Sequence, residues 1–366
     1  MLSGVRTQAV RLVIAALVVA ALIVGGCGAP ASTAATKVDL PAGSSPVALA
    51  ADGDGLLIGV RRDGQPLVPG LLRLTDGVTE VPVHGASPYG LLATWQSIAV
   101  DNGTIVAIGG ERGGAHGNVR WSVWTGSAAG VTERPQGFST FGGWGAGDLI
   151  DAVITPVGPA LVGSWESERV GLDVAVWTAD GDTWSRRSSA GTALQSDQAA
   201  LGFATAATSL GQGTLIAGWQ MADKLMPVVW QSSATGWTKS PLPDAGRTGT
   251  AMAVRCWASA CGVAGQVDGK LAVWRLVDGT WARLSGVPEI PVGDKDRLPA
   301  PIEVDGKLTQ FVSDGGRIKA VRIDSEVSVR EVSGPTGMVT TATGVGDDVF
   351  LLAGPDASSL ALWRLG

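Results

Sequence analysis

Carboxylates and aromatic rings are the chemistry-bearing residues whose surroundings this sequence makes readable. Glu111 and Glu166 each follow an apolar run, T-I-V-A-I-G-G and A-L-V-G-S-W, where a strand gives way to a loop. Two carboxyl groups facing one cleft are what glycosidic bond hydrolysis needs, so the pair defines one functional class, a glycan hydrolase. Tyr89, Phe141, Trp144, Trp165 and Trp219 define another, because rings beside carboxylates stack on sugars or anchor a protein partner. The same rings could equally be core, and Trp165 and Trp219 are as readily placed there.

Other chemistry finds less support. No G-x-S-x-G elbow occurs, and neither His84 nor His116 stands in a recognisable catalytic context, so no catalytic residue is assigned. Two histidines in the whole chain, and acidic turns without a twelve-residue ligand loop, give no metal site. The Gly143 to Gly147 run precedes a strand rather than a helix, and no cofactor is expected.

The N-terminus reads as an export signal. Arg6 and Arg11 precede an uncharged stretch from Leu12 to Val24 that is short for a membrane span. Val24-Gly25-Gly26-Cys27 resembles a bacterial lipobox. The resemblance implies cleavage after residue 26, a diacylglyceryl thioether on Cys27 and anchorage to the outer, extracytoplasmic face of the cell membrane. Residues 27–36 then form a lipidated cysteine and small-residue tether, and 37–366 the folded domain. With Cys27 lipidated, Cys256 and Cys261 are left five residues apart in an oxidising setting, and a hairpin disulfide is expected. A net charge of −6, with no basic stripe, argues against nucleic acid as a partner.

The elements that position these residues repeat. Ala272 to Trp281, A-V-W-R-L-V-D-G-T-W, reads as a strand, an Asp-Gly turn and a returning strand. Its echoes place a marker at Arg73, Trp124, Trp177, Trp230, Trp274, Arg322 and Trp363, spaced 41 to 53 residues apart. That period suits one four-stranded blade per repeat, hence an all-β, seven-bladed β-propeller, expected as a monomer. Blade seven lacks a fourth strand after Trp363, and Lys37 to Pro41 resembles the fourth strands elsewhere. An N-terminal strand is therefore expected to close the ring.

Thr178, Asp180, Gly181 and Trp184, with Asp278, Gly279 and Trp281, resemble degenerate BNR or Asp-box repeats of the sialidase-like propellers. The resemblance implies the fold and a place for these residues on third-to-fourth-strand turns. A sialidase would also need an arginine cluster and usually a tyrosine nucleophile; Tyr89 is the only tyrosine, and no arginine trio can be placed. The expected function is thus a binding platform for an envelope protein or glycan, with the hydrolase using Glu111 and Glu166 as the alternative.

Overall fold

A computed structural model describes residues 32–113, 117–141, 147–257 and 260–366. Seven antiparallel sheets follow one another along the chain, over 44–81, 94–133, 148–186, 201–241, 249–283, 302–336 and 338–365. Each is a blade with its strands in sequence order from the inside out, and together they form a seven-bladed β-propeller. Tight turns drive the local pairing: Asp278 (φ 50°) and Gly279 (φ 75°) both take positive φ, the geometry that turns a two-residue hairpin without splaying its strands.

Among the described residues the core is divided into seven clusters, one at each contact between consecutive blades. Leu161, for example, packs against blade two while its neighbour Val162 packs against blade four. Successive side chains point to opposite sheet faces, and here both faces are buried. This is why the strands read as unbroken apolar runs rather than as an alternation. The ring closes where Leu56, Ile58 and Val60 of blade one meet Phe350, Leu352 and Leu362 of blade seven.

The repeated tryptophan is a staple between blades. Trp177, Trp230 and Trp274 are buried on third strands, and each indole N–H donates to a carbonyl of the connection entering its own blade: Thr140 (3.2 Å), Ala193 (3.0 Å) and Pro243 (2.8 Å). Burying so large a ring with its N–H satisfied ties each blade to the chain that precedes it.

Closure comes from the N-terminus. Thr36–Lys37 pairs antiparallel with Ala361–Leu365, Thr36 opposite Arg364 and Lys37 opposite Trp363, and the Val38 N–H continues the ladder to the Leu362 carbonyl (2.9 Å). The paired segment lies just ahead of the expected Val38 to Leu40. Val38 and Leu40 instead pack into the cluster joining blades seven and one. The tether boundary at residue 36 also shifts. Ser32–Ala34 runs parallel to Val327–Thr336 as a fifth strand on blade six, so the propeller begins by Ser32. An open sheet edge offers unpaired N–H and C=O groups, and pairing there requires no apolar periodicity that a sequence could display. Val83–His84 covers the outer edge of blade two in the same way.

The disulfide expected between Cys256 and Cys261 is present, joining directly opposed residues of the first hairpin of blade five.

Candidate functional site

The blade connections sort onto two ends of the propeller. One end, here the upper face, gathers the second-to-third-strand loops and the inter-blade connections; the lower face gathers the short first-to-second and third-to-fourth turns. On the upper face, between blades two and three, lies a pocket of about 330 Å³ lined by Thr94, Trp95, Gln96, Gly110, Glu111, Arg112, Val119 and Trp121. Two side chains tie it to blade three: the Trp121 indole N–H donates to the Gly147 carbonyl (3.3 Å) and the Gln96 amide to the Ile150 carbonyl (3.5 Å).

Why these residues arrive together follows from local register. Thr104–Gly113 and Asn118–Ser127 pair with Trp121 opposite Gly110, and a Cβ on Gly110 would fall 2.9 Å from the indole. The missing side chain at Gly110 is what lets the Trp121 ring lie across the sheet. Gln96 sits on a β-bulge, where the ladder skips between Trp95 and Ser97. A bulge re-aims the extra residue out of the regular alternation. The same skip recurs on the first strands of blades one, three, four, five and seven, at Val47, Ile150, Thr205, Met252 and Thr340. Glu111 follows the apolar stretch Ile105 to Ile108, and its half-buried side chain borders the pocket beside Arg112.

Buried polar groups hold the neighbouring upper-face segment. The Glu133 carboxylate, 3% exposed, accepts the N–H groups of Ala86 (2.6 Å) and Ser87 (2.8 Å) and the Ser87 hydroxyl (2.5 Å). Three donors on one carboxylate fix the connection from Val83 to Ala93 that carries Tyr89.

The sequence-derived residues divide by environment. Glu111 lines the pocket. Phe141 and Trp165 are 5% and 6% exposed and both pack against Trp177, at 6.0 and 5.1 Å between ring centroids, in the contact between blades two and three. Trp219 is half-buried and stacked on Phe203 at 4.1 Å. Tyr89 is half-buried beside Gly113. Glu166 is exposed at the upper end of blade three and does not line the pocket. Trp144 and Cys27 lie outside the described residues. The exposed ring near the connection is Phe138 (66%), with the Arg120 guanidinium 5.2 Å above it.

Two titratable residues that the sequence reading passed over lie on the innermost strands. Asp151 Oδ2 accepts the Ala207 N–H (2.7 Å), and burial pushes its carboxyl from 3.8 up to about 6, against hydrogen bonds from Ala207 and Ser97 and the charge of Arg255. Arg255 is held below its usual range by burial, with Asp151 opposing. Both stood out in the sequence as single charges inside apolar runs, L-I-D-A-V-I and A-M-A-V-R-C. Among the described residues no cluster of His, Cys, Asp and Glu is arranged to hold a metal, and no helix is long and apolar enough to cross a membrane.

No family model matches the chain, and no curated protein matches it either. Among solved structures it is similar to Trypanosoma rangeli sialidase, with a TM-score of 0.43 and 8% identity, over 91% of this chain and 57% of that one. The chain thus spans little more than half the length of that sialidase. What the fold and pocket define is a seven-bladed β-propeller with an aromatic and polar pocket on its upper face.

Proposed function

We propose that this protein is a lipid-anchored, extracytoplasmic binding protein that holds a sugar unit of an envelope glycan in the pocket between blades two and three. The pocket's composition carries the reading. An indole held flat over Gly110 offers a stacking surface, while Gln96, Thr94, Glu111 and Arg112 supply donors and acceptors around it. A volume of about 330 Å³ lies at the lower end of small-molecule sites, roughly 300–1,000 Å³, and suits one ring rather than a long chain.

The hydrolase alternative is disfavoured by the same lining. Acid–base hydrolysis needs two carboxyl groups across one cleft. Glu111 is the single carboxylate among the residues lining this pocket, and Glu166 is not one of them. Binding without turnover is the function left.

Anchorage through Cys27 rests on the lipobox resemblance, and the course of the chain suits it. Ser32–Ala34 runs parallel to the fourth strand of blade six, and that strand rises from the lower face. The chain therefore joins the propeller from below, leaving the upper pocket on the side away from the membrane. Five residues separate Cys27 from Ser32, at most about 18 Å of extended chain. The test is calorimetric titration of solubilised envelope oligosaccharides into the protein and into Trp121→Ala. Heat that saturates for the first and is lost for the second supports the reading; equal heats, or none for either, refute it.

A further inference from the structure

The first strands lie innermost, and two residues past the bulge position they carry Ala50, Ala99, Val153, Thr208 and Thr343 in blades one, two, three, four and seven. Blade five carries Arg255 there. Blade six has a first strand of only three residues, Ile302–Val304. Arg255 spans the opening, and its Nη1 donates to Thr343 Oγ1 on blade seven (3.1 Å). A guanidinium has five N–H donors, and this is one of them.

A second cation shares that sheet face. Arg255 lies opposite Gly262, and Gly262 lies opposite Arg275, so the two arginine stems leave the same side of blade five, toward blade six. Between them a Cβ on Gly262 would meet Trp257, Pro301 and Leu308 at 3.1–3.2 Å. Arg275 Nε is buried with no hydrogen-bond partner. Among the described residues no carboxylate oxygen lies within 4.0 Å of either guanidinium, although eleven other ion pairs form. Two half-buried cations on one face with unfilled donors are destabilising alone, and an anion reverses that sign.

We propose that the gap left by the short inner strand of blade six binds a small oxyanion between Arg255 and Arg275, with the Thr343 hydroxyl as third donor. Thr343 accepts from Arg255 and keeps its own O–H to give. A fork-shaped donor pair suits carboxylate, phosphate or sulfate better than a halide, because planar N–H pairs match two oxygens on one centre.

The experiment follows the thermal midpoint of the full chain as sodium phosphate, sulfate or acetate replaces sodium chloride at constant ionic strength. A ligand that binds the folded state alone raises the midpoint in proportion to the logarithm of its concentration. The site predicts such a rise for at least one oxyanion. The concentration producing it should increase at least tenfold in Arg275→Gln and in Thr343→Val, which keep the larger charge at Arg255 and serve if Arg255→Gln does not fold. The comparison among the three salts then identifies the oxyanion class. No increment above chloride overturns the proposal. So does an increment retained in both variants, since a merely structural Arg255 bridge would lower every midpoint equally with and without oxyanion.

Discussion

Asp151 and Ser97 occupy the same place one blade apart: Asp151 Oδ2 accepts the Ala207 N–H at 2.7 Å, as Ser97 Oγ accepts the Ala152 N–H at 3.2 Å. Both residues follow the bulge of their first strands, and each ties its blade to the next. A hydroxyl does this without charge; a carboxylate brings one into the interior. The excess cost appears as the raised carboxyl of Asp151.

Stability should therefore depend on pH through this residue. Below pH 4 the carboxyl is protonated in both folded and unfolded chains. Between 3.8 and about 6 the folded protein keeps a proton that the unfolded chain releases, so stability falls as pH rises through this window. Above it the full penalty applies. Asp151→Asn keeps an acceptor for Ala207 and removes the charge, and should stabilise the protein at pH 7.5 by roughly 2 kcal/mol while flattening this window. Urea denaturation at pH 4.5 and 7.5 measures both; a destabilised variant at pH 7.5 would show that the Arg255 attraction outweighs desolvation.

Glu133 is the opposite case, a buried carboxylate whose three donors cover its cost. Glu133→Ala leaves the Ala86 and Ser87 N–H groups without their acceptor and should cost about 2–3 kcal/mol. Hydrogen exchange should accelerate over residues 85–93 more than elsewhere in blade two. Uniform acceleration across the blade would mean that Glu133 supports the whole sheet.

Ring closure depends on six residues. A chain beginning at Asp39 loses both pairings made by Ser32–Lys37 and exposes the outer strands of blades six and seven. Relative to a chain beginning at Ser32, its thermal midpoint should fall by about 5 °C or more. Unchanged midpoints would assign closure to the cluster between blades seven and one alone.

The Cys256–Cys261 bond closes a very short loop, so its removal constrains the unfolded chain only modestly less. Replacing both by serine should cost about 2 kcal/mol on the loop-entropy estimate. Thiol titration of the denatured, unreduced chain should find neither of the two free.

The repeat made the architecture legible. Trp177, Trp230 and Trp274 recur because each staples a blade to its connection, and that structural duty is what a period in the sequence records. Sites are deviations from the repeat, and deviation alone does not say which way a ring points. Trp165 and Trp121 both follow strand-like apolar runs, yet Trp165 is sealed against Trp177 while Trp121 lies half-open over Gly110. A bulge one residue long, invisible in composition, turns Gln96 into the pocket. The edge strands at Ser32 and Val83 were hidden because backbone pairing asks nothing of side chains.

The upper-face pocket is tested most directly by calorimetric titration of envelope oligosaccharides into four proteins: unmodified, Glu111→Gln, Trp121→Ala and the lower-face control Thr235→Ala. The pocket reading predicts that the control binds like the unmodified protein, while Glu111→Gln and Trp121→Ala weaken binding at least tenfold with unchanged thermal midpoints. Equal affinity in all four, or loss in the Thr235→Ala control, would contradict it.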